Sequence, residues 1–156
     1  MSSDNQRWGI DLRLLRNLDQ QNDRDRGADI AVRIRPETGQ VDLDTLTELD
    51  NLKQALLLRF LTPVGELAAL GHPSYGSRLF ELLGEPITPT TLNRAKLFTL
   101  VALEAEPRVK EVLSVKVTYD RRRPTQIDID VSLRPIDSDT VLNLVFPFFI
   151  EGGPTV

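Results

Sequence analysis

Apolar positions recur at two different spacings along the first half of the chain, and the change between them predicts where strand gives way to helix. Ile30, Val32 and Ile34 alternate with Ala31, Arg33 and Arg35, the period of a half-buried strand. Pro36-Glu37-Thr38-Gly39 has turn chemistry, and Val41 and Leu43 restart the alternation, so Asp29 to Asp44 reads as a hairpin. From about Thr45 the spacing becomes helical, with Leu46, Leu49, Leu52, Leu56 and Phe60 at steps of three and four. Thr45 and Glu48 have capping-box spacing, in which each side chain satisfies a first-turn backbone N–H. Leu57, Leu58 and Leu61 widen the apolar stripe, which predicts burial on more than one side. Thr62-Pro63 ends the helix, because proline disfavours the α conformation in the residue before it.

A second helix is predicted from Thr88-Pro89, with threonine as cap and proline at the first helical position. Leu92, Phe98, Val101 and Ala105 make it apolar over much of its surface, the pattern of a core helix. It breaks at Glu106-Pro107, and Arg108 to Leu113 is expected to add a further turn or two. The period then falls to two. Val115, Val117 and Tyr119 alternate with polar residues, Asp120 to Pro124 turns, and Ile127, Ile129, Val131 and Leu133 alternate strictly with Asp128, Asp130, Ser132 and Arg134. The last run has Leu144, Phe146, Phe148 and Ile150 on one side and Val145 and Phe149 on the other. Pro147 within it cannot donate a ladder hydrogen bond and favours an edge position. The fold class is therefore α+β: an N-terminal hairpin and a helical half on a C-terminal, mainly antiparallel sheet with an exposed edge strand.

Between the helices, Phe60 to Pro86 holds Pro63, Gly65, Gly71, Pro73, Gly76, Gly84 and Pro86 together with Leu67, Leu70, Tyr75, Leu79 and Phe80. So long a connection is either disordered or shaped for a partner, and its apolar content argues for the latter. Ser77 to Leu83 has the spacing of a short helix, with Gly84 as its left-handed cap. Residues 1–27 form a polar arm in which Trp8, Ile10, Leu12, Leu14, Leu15 and Leu18 are the apolar exceptions. The arm is either mobile or anchored on a neighbour. Residues 28–156 read as one domain, helical over about 44–113 and sheet over about 114–150.

With 156 residues, 40% of them apolar, the chain can bury one substantial core. A net charge of −4 argues against a broad nucleic-acid surface, and Arg121, Arg122 and Arg123 read as a solvated turn. The chain has no cysteine and a single histidine, His72, which excludes thiol chemistry and multi-histidine metal sites. No segment approaches the ~20 apolar residues of a membrane span. No nucleophile elbow surrounds a serine, and no phosphate loop or dinucleotide fingerprint appears. A glycosidase would need two carboxylates roughly 5–10 Å apart, one kept protonated. Glu66, Glu81, Glu85, Glu104 and Glu106 are candidates by type alone. Glu106-Pro107-Arg108 stands where an apolar helix ends, so an ion pair there would be partly shielded, and an arginine fork can bind carboxylate bidentately.

Thr62-Pro63-Val64-Gly65-Glu66, Pro73-Ser74-Tyr75-Gly76-Ser77 and Glu106-Pro107-Arg108, in this order, resemble the pattern of the baseplate wedge proteins of contractile phage tails and related injection particles. That family is also labelled lysozyme-like. The resemblance covers roughly Asp44 to Ile150. It implies a structural protein at the base of the sheath, with no catalytic residue, cofactor or metal, assembled in the cytoplasm. Glu106, Pro107 and Arg108 would contact the wedge core. Leu144, Val145, Phe146, Pro147, Phe148, Phe149 and Ile150 would face the sheath protein as the edge strand that exchanges with neighbours. Thr62, Pro63, Gly65, Glu66, Pro73, Tyr75, Gly76 and Ser77 form the signature loop, expected to offer Tyr75-Gly76-Ser77 to a neighbour. The N-terminal arm would be available to tube or hub proteins, and neither nucleic acid nor membrane is an expected partner. A peptidoglycan-cleaving enzyme and a free-standing interaction adaptor are the competing readings.

Overall fold

In the computed structural model, which describes residues 9–15 and 31–150, the strands are β1 (Ile10–Leu12), β2 (Val32–Ile34), β3 (Val41–Leu43), β4 (Thr45–Thr47), β5 (Val109–Tyr119), β6 (Gln126–Pro135) and β7 (Leu142–Phe149). The helices are α1 (Glu48–Leu61) and α2 (Pro89–Glu104), with short 3-10 turns at Ala68–Leu70 and Leu79–Leu82. This is the expected α+β arrangement. The chain divides into two units, Met1–Ala55 and Leu56–Val156.

In the first unit β2 and β3 form the expected hairpin, with Val32 opposite Leu43 and Ile34 opposite Val41. The expected half-burial is absent: Val32, Ile34 and Val41 are 61%, 69% and 68% exposed. The two strands pair only with each other, so among the described residues no further layer covers their apolar side chains. Ile30 lies outside the described residues.

The first helix starts later than its capping spacing predicts. Thr45–Thr47 is β4, antiparallel to β1, with Ile10 opposite Thr47 and Leu12 opposite Thr45. Glu48 then takes a positive φ of 54°, which a capping box does not allow. Strand pairing from more than thirty residues away replaces the local cap. The partner strand belongs to the N-terminal arm, and Gln54 of α1 fixes the arm further. Fully buried, Gln54 accepts the N–H groups of Leu14 and Leu15 at 2.8 and 3.1 Å and donates to the Leu12 carbonyl at 2.8 Å. Arg13 adds an ion pair to Asp44 at 2.6 Å. Trp8, Leu18 and the remainder of the arm lie outside the described residues.

In the second unit β5, β6 and β7 form an antiparallel sheet in that order. β5 starts at Val109, so Arg108 to Leu113 leads into and forms strand rather than extra helix. Register shifts between Val109 and Glu111 and between Val112 and Ser114 break the alternation, which hides this first part of the strand from a period-two reading; the expected alternation of Val115, Val117 and Tyr119 forms its second part. β6 keeps its alternation, with Ile127, Ile129, Val131 and Leu133 all buried. On β7 the buried face is Leu142, Leu144, Phe146 and Phe148, followed by Ile150, while Val145 is 45% exposed. The Phe60 ring at the end of α1 lies 5.4 Å from that of Phe146.

Helix α2 packs on β5 and begins as expected, Thr88 Oγ1 accepting the Thr91 N–H at 3.2 Å. Its burial is narrower than its composition suggests. Ala95, Phe98, Thr99, Ala102 and Leu103 are buried, whereas Leu97 and Val101 are each 56% exposed. Leu61 on α1 is likewise exposed rather than enclosed.

Among the described residues β7 is an edge strand, as Pro147 predicts. In an antiparallel strand the main-chain groups of successive residues point alternately toward and away from the neighbour. Pro147, opposite Asp128, lacks an N–H and is tolerated where that group would point outward. The same parity sends the main-chain groups of Val145 and Phe149 to the open edge. Just past the strand, Ile150 donates to the Thr125 carbonyl at 2.9 Å and accepts from the Gly84 N–H at 2.7 Å, so the strand's end is tied to two loops.

Candidate functional site

The two glycine- and proline-bearing segments of the connection close on one another. The Ser77 N–H donates to the Thr62 carbonyl at 2.9 Å, and the Val64 N–H donates to the Ser77 carbonyl at 3.0 Å. Ser77 Oγ donates to the Phe60 carbonyl at 2.9 Å. Gly76 makes this seam possible. Its φ is 113°, and a Cβ there would lie under 3.0 Å from Thr62 O, Pro63 C and Val64 N. Gly76 and Ser77 are thus buried in the loop's own structure, and Tyr75 is the partly exposed member of the three. Pro73, Gly65 and Glu66 lie on the outside.

Tyr75 leads to the charged residues. The Arg59 guanidinium lies over the Tyr75 ring, its carbon 4.5 Å from the ring centroid. Arg59 is 7% exposed and Glu106 6% exposed, and Arg59 Nη2 donates to Glu106 Oε2 at 3.3 Å. Arg108 Nε donates to the other carboxylate oxygen at 2.6 Å. Glu106 therefore bridges two arginines from different parts of the chain. Arg59 sits in the last turn of α1, where a cation also faces the negative end of the helix dipole. Glu106 and Arg108 sit at the corner from α2 into β5, with Pro107 between them. The corner is fixed by the main chain: Val109 N–H donates to the Glu106 carbonyl at 3.0 Å and Ile136 N–H to the Arg108 carbonyl at 2.9 Å.

Burial raises the Glu106 pKa, but the Arg108 hydrogen bond and the charges of Arg108 and Arg59 outweigh it and hold the carboxyl below its ordinary value. Burial likewise pushes the Tyr75 hydroxyl up, with the charges of Arg59, Glu106 and Arg108 all acting on it. The shielded ion pair expected at Glu106-Pro107-Arg108 is present. Arg59 was not singled out by the sequence, although a lone arginine in the run Leu56-Leu57-Leu58-Arg59-Phe60-Leu61 is the signal that could have found it.

Beside this cluster runs an apolar groove of about 200 Å³, lined by Val64, Leu97, Phe98, Val101, Ala102 and Ala105 along its apolar wall. Ser74, Gly76, Ser77 and Arg78 complete it, Arg78 lying over the Phe98 ring and paired to Glu81, so the groove flanks Tyr75 in the chain and adjoins Glu106 through Ala105. Of the remaining expected positions, Leu144 to Ile150 lies on the edge strand at the other end of the sequence. His72 is an exposed loop residue, and no group of His, Asp or Glu suited to a metal occurs among the described residues. No helix among them is long and apolar enough to cross a membrane.

No family model and no curated protein matches the chain. Among solved structures it is similar to a Geobacter sulfurreducens protein described as a tail lysozyme, with a TM-score of 0.56 and 26% identity. The match covers 65% of this chain and 89% of that one. It supports the coarser part of the resemblance read from the sequence, a likeness to phage-tail-related proteins.

Proposed function

We propose that this chain is a structural baseplate component of a contractile injection machine, assembled in the cytoplasm. In this reading it binds wedge subunits through the Glu106-Pro107-Arg108 corner and templates the first sheath ring by strand exchange at β7. The observation that carries the reading is β7 itself, in a chain similar to a tail protein. It is an eight-residue apolar strand on an open sheet edge with Val145 exposed beside it. Such an edge gives an incoming strand main-chain hydrogen bonds for register and apolar burial for affinity.

The word lysozyme attached to the similar structure favours a second reading, peptidoglycan cleavage. A glycosidase acid must hold its proton near neutral pH. Here Glu106 and Glu81 are both held below their ordinary values, Glu81 chiefly by its hydrogen bond to Arg78. Glu85 is paired to Arg94 through both oxygens, at 2.7 and 2.6 Å. These arrangements suit structural ion pairs better than a proton donor.

Truncation before Val145 would remove Phe146 and Ile150 from the core, so a point substitution is the cleaner test. Val145→Lys should leave wedge binding intact and stop sheath polymerisation on the assembled baseplate. Sheaths of normal length would overturn the templating role. Clearing of a cell-wall suspension by the purified protein would establish the enzymatic reading instead.

A further inference from the structure

Among the described residues the charges around Glu106 do not balance. Two guanidiniums, Arg59 and Arg108, face a single carboxylate, and Glu106 spends one oxygen on each. Arg59 Nε is buried with no hydrogen-bond partner among the described residues. The Arg108 side chain keeps 24% of its surface exposed while using Nε on Glu106, and its two terminal amines have no hydrogen-bond partner among the described residues. A buried cluster with one surplus cation is costly unless a counter-charge completes it. The apolar groove reaches this cluster through Ala105; its wall residues Leu97 and Val101 are each 56% exposed, and its own cation, Arg78, is already paired to Glu81.

We propose that this cluster and groove form one receptor for a partner segment that places an apolar side chain next to a carboxylate. The apolar group fills the space between Val64, Leu97 and Val101. The Asp or Glu beside it takes the terminal amines of Arg108 as a fork and neutralises the surplus charge. Arg59, stacked on Tyr75 and tied to Glu106, is a positioning residue that holds the acceptor oxygens so that Arg108 faces outward. The inference rests on the proposed wedge-binding role of the corner and adds to it the chemistry of what is bound: a protein segment, apolar then acidic, such as one face of an amphipathic helix.

The test uses the full chain in its assembled particle, carrying the photo-crosslinking residue p-benzoylphenylalanine at Leu97 or at Val101. The crosslinked segment, identified by mass spectrometry, should be apolar with an Asp or Glu within one helical turn. Arg108→Gln should then weaken capture of that subunit at least tenfold with an unchanged melting curve, and Val101→Asp should do the same from the groove side. Arg108→Glu should fail, and reversing the partner's acid to Arg should restore binding. Crosslinks to a wedge subunit with no acid in reach, no crosslink from either position, or failure of the charge swap would each overturn the receptor while leaving wedge binding standing. A crosslink to an apolar-acidic segment of a subunit outside the wedge would uphold the receptor and overturn the wedge reading.

Discussion

The Arg59 guanidinium stacks 4.5 Å from the centre of the Tyr75 ring and reaches past it to Glu106, so the signature loop and the helix–strand corner are parts of one cluster. Neither segment does this alone. Tyr75 supplies the face that accepts a cation out of water, α1 supplies the cation, and the corner supplies the counter-charge.

Removing that counter-charge should cost more than removing either cation. Glu106→Gln leaves the buried Arg59 and the partly exposed Arg108 without their shared counter-charge, and a loss of about 3 kcal/mol is expected by urea denaturation. Arg59→Met, which keeps the apolar stem over Tyr75, should cost less.

The same carboxyl sets the acid limit of stability. Its folded pKa lies below the unfolded value, so its contribution is complete above the ordinary glutamate value, about 4.3, and is lost as pH falls through the folded value. A pH series of melting curves should show stability declining below that point, and Glu106→Gln should flatten the decline. An equally steep acid limb in the variant would contradict the assignment.

Gly76 and Gly39 give a matched pair. Both have positive φ, but a Cβ at Gly39 meets nothing within 4 Å, whereas one at Gly76 runs into the backbone of Thr62 to Val64. Gly39→Ala should cost about 1 kcal/mol, the left-handed penalty alone. Gly76→Ala should cost about 3 kcal/mol or more, because backbone must also move. Thermal melts of the two variants distinguish these outcomes.

Gln54→Leu should release the arm without opening the core of the second unit. It removes the acceptor of two N–H groups and the donor to one carbonyl, at about 1–3 kcal/mol for buried groups left unpaired. Hydrogen exchange at the Leu14 and Leu15 amides should accelerate, while amides of β6 keep their protection.

Arg108→Ala should affect partner binding more than folding, since its side chain is partly exposed and Glu106 retains Arg59. A wedge pull-down alongside a melting curve checks both halves.

The sequence was most legible where a single periodicity controlled an element. Thr88-Pro89, the strict alternation of β6 and the apolar faces of β7 all lie where local pattern and tertiary role agree. It was least legible where distant residues decided the outcome. Thr45 to Glu48 carry a good capping signal, yet pairing with Ile10 to Leu12 makes Thr45–Thr47 a strand. The first part of β5 was hidden by its own bulges, and Gln54 and Arg59, both buried, were not singled out. The pairing of Glu106 with Arg108 could be expected from the motif, but only the folded chain shows that a second arginine, from α1, joins it.

The missing N–H at Pro147 has a consequence for anything that lengthens the sheet. Along the outer edge of β7, Val145 and Phe149 offer donor and acceptor, while Pro147 between them offers only its carbonyl. An added strand can leave an unmatched carbonyl opposite the proline without penalty only in certain alignments. Sliding it by one residue turns its side chains to the opposite face. Sliding it by two moves the unmatched carbonyl to a different residue of the newcomer. A single ring thus acts as a fiducial mark: it lets the edge recognise alignment as well as composition.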